Sequence, residues 1–109
     1  MERPDALNAL AALSQGTRLD VFRLLVRQTP NGLAAGEIAD RLGVVQNTMS
    51  SHLGVLARAG LVEAARDGRS VRYSANLAGM CGLLTFLMED CCQGAPEICA
   101  SLMDIISCR

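Results

Sequence analysis

The chain has 109 residues, half of them apolar and only three aromatic, with a formal charge of −1 at neutral pH. That length supports one domain with a modest core, and no apolar run is long enough to span a bilayer. The opening MERPDALNAL mixes charges of both signs and lacks the apolar centre of a signal peptide, so a cytoplasmic chain with reduced thiols is expected.

Leu, Ala, Val, Ile and Met supply the apolar content, which suits helices packed on helices. So much of it in a short chain predicts a surface buried by a second subunit. All ten basic residues are Arg, and their distribution is uneven. Residues 1–50 carry five Arg against five acids, residues 51–76 four against two, and residues 77–109 one against four. A basic middle and an acidic tail fit a protein that meets phosphate through one surface.

In chain order, Asp5 is placed to cap a first helix, with Leu7, Leu10 and Leu13 at helical spacing. Gln15-Gly16-Thr17 breaks the pattern. A second helix is expected from Thr17 to Gln28, turning Leu19, Phe22, Leu25 and Val26 inward. Thr29-Pro30-Asn31-Gly32 reads as a turn. A short helix over Ala35 to Leu42 ends at Gly43, which tolerates the left-handed position. The stretch VVQNTMSSHLGVLARAG then forms another helix, up to Gly60. Two strands follow, LVEAAR and SVRYSA, joined at Asp67-Gly68 as a tight hairpin. A long apolar helix is expected from Leu77 to Asp90, then a loop of cysteines, then a last helix from Pro96 to Ser107.

Short helix, glycine turn, second helix and hairpin together make a winged helix-turn-helix. The fold class is therefore mainly α with a small β-hairpin wing, in one domain over residues 1–109 with a cysteine-rich C-terminal segment over about 90–109. Ile38, Leu42, Val44, Met49, Leu53 and Leu56 form an apolar stripe that packs the two helices together. The opposite face of the second shows Gln46, Asn47, Ser50, Ser51 and Gly54, small or amide groups without net charge. Such a face fits the major groove, where Gln and Asn pair with adenine edges. Thr48 and His52 stand beside it, within reach of phosphates or bases. A plain solvated helix face reads the same by polarity; the hairpin tips the balance, because Arg66, Arg69 and Arg72 bring three guanidinium groups to or near its tip.

The runs ALSQGTRLDVFRLL and EIADRLGVVQNTMSSHLGVLARAGLVEAARDGRSVRYS resemble the ArsR/SmtB family of metal-responsive winged-helix repressors over roughly residues 8–90. The resemblance implies a homodimer, built through the first and fifth helices, that binds a palindromic operator and releases it when a metal or metalloid binds. Val45 departs from the family's pattern, where Ser or Thr often caps the reading helix, and Asn47 or Thr48 is the expected substitute cap.

Family members sense inducers at different places. The Cys-x-Cys site on the first helix of the motif has no counterpart in LAAGEIAD, and the paired Asp and His site of the fifth helix has none either, since the only His is His52. Soft ligands cluster only in DCCQGAPEIC, where Cys91, Cys92 and Cys99 offer three sulfurs around Gly94 and Pro96. Trivalent arsenic or antimony binds three thiolates in a pyramid, whereas structural zinc takes four ligands. CCxGxPExC also resembles the arsenic-sensing branch of the family. The expected protein is thus an arsenic(III)- or antimony(III)-responsive repressor and not an enzyme.

Other readings stay open for the cysteines. They suit a thiol-redox-switched repressor, a zinc- or cadmium-responsive one, or small buried hydrophobes. Core packing is the expectation for Cys81, and Cys108 is a terminal thiol or spare ligand.

Overall fold

The computed structural model describes residues 1–88. Their elements are α1 (Arg3–Leu13), α2 (Gly16–Gln28), β1 (Leu33–Ala34), α3 (Ala35–Leu42), α4 (Gln46–Arg58), β2 (Val62–Asp67), β3 (Ser70–Ala75) and α5 (Leu77–Met88). The expected last helix and the cysteine loop lie outside the described residues.

At the start of α1 the cap is Glu2, not Asp5. Asp5 occupies the third helical position, and its carboxylate accepts the Glu2 backbone N–H at 3.2 Å, satisfying a donor that the helix start leaves free. Of the three leucines at helical spacing on α1, Leu13 packs against the core. Ala6, Ala9 and Ala12 are buried, while Leu7 and Leu10 are 54% and 42% exposed. Alanine lets α1 lie close on α2 and α4, and the bulkier Leu7 and Leu10 point outward. In α2 the buried residues are Val21, Phe22, Leu24 and Leu25, so Phe22 and Leu25 sit as expected while Leu19 and Val26 are exposed. Gln15 begins α2 rather than merely breaking the chain, its Oε1 accepting the Arg18 N–H at 2.8 Å.

The sheet holds one strand more than the hairpin. Its order is β1-β3-β2, all antiparallel, with Leu33 opposite Tyr73 and Ala34 opposite Arg72. In the hairpin, Val62 pairs with Ala75 and Asp67 with Ser70, so the two turn residues are Gly68 and Arg69 rather than Asp67 and Gly68. Gly68 has φ 63°, and Arg69 stays out of the left-handed region. A positive φ at the first central position alone suits a type II′ turn.

The core gathers Leu25, Ile38, Met49, Leu53, Leu56 and Leu61, all fully buried. Helix α5 reaches it through Leu83, with Met80 and Phe86 packed alongside. The start of α5 is keyed to the end of α4. Asn76 Nδ2 donates to the Gly60 carbonyl at 2.9 Å, and Asn76 Oδ1 accepts the Gly79 N–H at 3.1 Å. Gly79 comes so near that a Cβ there would collide with the Gly60 carbonyl oxygen. Cys81, expected in the core, is half-buried and disulfide-bonded. No helix among the described residues is long and apolar enough to cross a membrane.

Candidate nucleic-acid interface

The helix-turn-helix is built by α3 and α4. Gly43 takes φ 67° after α3, and Val44 N–H donates back to the Ala39 carbonyl at 3.0 Å, closing the turn. Ile38 on α3 and Met49, Leu53 and Leu56 on α4 are buried, with Leu42 and Val44 packed against them. The apolar stripe therefore does join the two helices.

That packing fixes which face of α4 is free. Gln46, Asn47, Thr48, Ser50 and Ser51 are exposed, and Gly54 is half-buried. The helix begins at Gln46 with Val45 as its cap, so neither Asn47 nor Thr48 takes that place. Val45 is 71% exposed and caps with no side-chain bond, which leaves the first-turn N–H groups open to an incoming phosphate. Gln46 lies partly back over α3, its Oε1 3.8 Å from where a Cβ of Gly36 would stand.

His52 departs from the exposed group. It is half-buried, and its Nδ1 lies 3.5 Å from Nη1 of Arg18. Sequence reading missed Arg18, which sits in the first turn of α2 and whose Nε donates to the Ala12 carbonyl at 2.7 Å. No local pattern marks that contact, because its partners come from α1 and α4.

The three arginines of the wing divide. Arg66 and Arg69 are exposed at the end of the hairpin. Arg72 lies further down β3 and turns to the loop before β1. Its Nε donates to the Asn31 carbonyl at 3.1 Å and its Nη2 to the Gly32 carbonyl at 2.9 Å. Nη1 also lies 3.9 Å from Glu37, the one ion pair among the described residues. Two guanidinium groups, not three, therefore stand near the tip, and the third ties the wing to the loop before β1. Cys91, Cys92 and Cys99 lie outside the described residues, and no group of three metal-ligating side chains occurs among the residues described.

A free helix face, small and uncharged, beside an arginine-tipped hairpin defines a winged helix-turn-helix DNA-binding protein. The family model for a helix-turn-helix domain matches residues 13–64. The transcriptional activator HlyU of Vibrio cholerae is 30% identical over 88 residues, 81% of this chain and 79% of that protein. A solved structure of HlyU superposes with a TM-score of 0.62 at 32% identity, over 80% of this chain and 97% of its own. An ArsR-like transcriptional regulator from Rhodococcus sp. RHA1 gives a TM-score of 0.75 at 28% identity, covering 94% and 92%. A homodimeric winged helix-turn-helix DNA-binding domain from Mycobacterium bovis gives 0.64 at 28%, covering 80% and 81%. This chain belongs to the ArsR/SmtB family of winged-helix transcriptional regulators.

Proposed function

We propose that this protein is a homodimeric repressor that binds operator DNA and releases it when trivalent arsenic or antimony is held by Cys91, Cys92 and Cys99. The observation that carries the DNA half is the free face of α4 from Gln46 to Ser51, flanked by Arg66 and Arg69. Gln46, Asn47, Ser50 and Ser51 are the proposed base readers, with Thr48, His52, Arg66 and Arg69 toward phosphate. Arg72 contributes by holding the wing in place.

The donor set supports the inducer. Three thiols without an adjacent His suit a soft trivalent centre better than a tetrahedral zinc site. When bound, that centre supplies a preference for three sulfurs in a pyramid. The protein's part is to draw the three thiolates together at the far end of α5 and change how that helix packs. Because α5 starts against the Gly60 carbonyl, a shift in its packing reaches the C-terminal end of the reading helix. Dimerisation is supported by the leucines that a single chain leaves out: Leu7 and Leu10 on α1, Leu77 and Leu87 on α5. The Mycobacterium bovis neighbour, described as homodimeric, accords with this.

The test is fluorescence anisotropy of the reduced protein on a labelled duplex from its own upstream region, titrated with arsenite and separately with zinc. Release by arsenite with zinc inert is expected. Persistent binding under arsenite would remove the metalloid reading and leave DNA binding standing. A thiol-redox switch through Cys91, Cys92 or Cys99 is the second reading; release by peroxide, reversed by dithiothreitol, would select it.

A further inference from the structure

Beyond the first turns of the reading helix, α1, the first turn of α2 and the C-terminal half of α4 enclose an open cleft of about 390 Å³. Two guanidinium groups line it, Arg18 and Arg58, over a floor that includes Val55, Ala12 and Ala59, with Asn8 at its edge. Arg18 is held from behind by the Ala12 carbonyl and by His52. A guanidinium has only donors, so His52 Nδ1 accepts in that contact. Arg58 lies back along α4 over Gly54, where a Cβ would stand 3.3 Å from its Nη1. Glycine at that position leaves room for the guanidinium.

Neither arginine has an ion pair among the described residues, where the single pair is Arg72 with Glu37. Among the described residues, no carboxylate lines the cleft. Two cations on one concave surface without a counter-charge attract an anion, and the planar fork of Arg matches carboxylate and phosphate oxygens. The volume is at the lower end of small-ligand pockets.

We propose that this cleft binds a small free anion bearing a carboxylate or phosphate group. Arg18 and Arg58 supply the charged donors, the Asn8 amide a third polar contact, and Val55 with the alanines a surface for the rest of the molecule. The cleft lies toward the C-terminal end of α4, away from Gln46 and Asn47 at its DNA-facing start, so a free anion is favoured over an operator phosphate. Its occupant bridges α1 and α4, a second input to the reading helix that needs no cysteine. The inference goes beyond the function proposed above and does not depend on it.

The experiment is a titration of the DNA-free, reduced protein with inorganic phosphate, and separately with acetate, followed by backbone amide NMR at ionic strength held constant with chloride. Saturable shifts centred on Asn8, Val55 and Ala59 are expected. Arg58→Gln should weaken that binding about tenfold or more, the scale of one lost charged hydrogen bond, and Asn8→Ala should weaken it less. Arg69→Ala should leave it intact. Shifts that never saturate, that centre on residues 46–51 or the wing, or that survive Arg58→Gln unchanged would each overturn the proposal. If Arg69→Ala alone abolished them, the anion would belong to the DNA surface and the proposal would fall.

Discussion

Arg69 and Arg72 stand three residues apart on one hairpin and carry the same charge, yet they meet different surroundings. Arg69 is exposed in the turn, whereas Arg72 donates to two backbone carbonyls of the preceding loop. Arg69→Ala should therefore weaken binding to every duplex alike and lower the salt slope by about 1, with urea stability unchanged. Arg72→Ala should lower urea stability by about 1–2 kcal/mol through two lost charged bonds, its exposed 3.9 Å pair with Glu37 adding little. Equal effects of the two changes on stability would refute this division. Cys99→Ser tests the inducer reading at the same scale. It should keep operator affinity and lose arsenite-driven release, and normal release from that variant would take Cys99 out of the site.

Among elements, the helix-turn-helix was the most legible in sequence. Gly43 ends α3 at the residue expected, because a left-handed stop is a local property of glycine. The stripe from Ile38 to Leu56 specified the packing of α3 on α4, since its spacing matches a helix. Strand β1 was not legible. Two residues carry no period, and they become a strand only because Tyr73 and Arg72 lie opposite, some forty residues away in the chain. Arg72 was misplaced near the tip for the same reason, since its carbonyl partners Asn31 and Gly32 are equally remote. The inward face of α1 was not legible, because leucine and alanine share a helical spacing and sequence does not say which one faces this chain's own core. The junction of α4 and α5 was also silent, as nothing local marks Gly79 as touching Gly60. Gly79→Ala should lower stability by about 1–3 kcal/mol, because the obstacle is a backbone oxygen that moves only with its neighbours. A chemical denaturation midpoint equal to that of the unaltered protein would show that the junction yields freely.

For the whole molecule, the described residues bury one continuous core yet leave Leu7, Leu10, Leu77 and Leu87 exposed on α1 and α5. Met1 also reaches Gly82, 3.7 Å from the position of a Cβ there, so the chain start lies against α5. Leu7→Lys with Leu10→Lys should shift the protein to monomer in analytical ultracentrifugation and weaken operator binding, while the helical circular dichroism signal stays. A dimer that survives both changes would place the subunit interface elsewhere. The sheet has a consequence of another kind. With order β1-β3-β2, strand β2 forms an outer edge, exposed from Glu63 through Asp67. Such an edge invites strand addition from a neighbouring molecule. Glu63, Arg66 and Asp67 stud it with charges of both signs, so desolvating those groups opposes fibril-like stacking. The wing is thereby protected from self-assembly by some of the residues that shape its outer surface, and neutralising all three would turn it into a nucleus for aggregation.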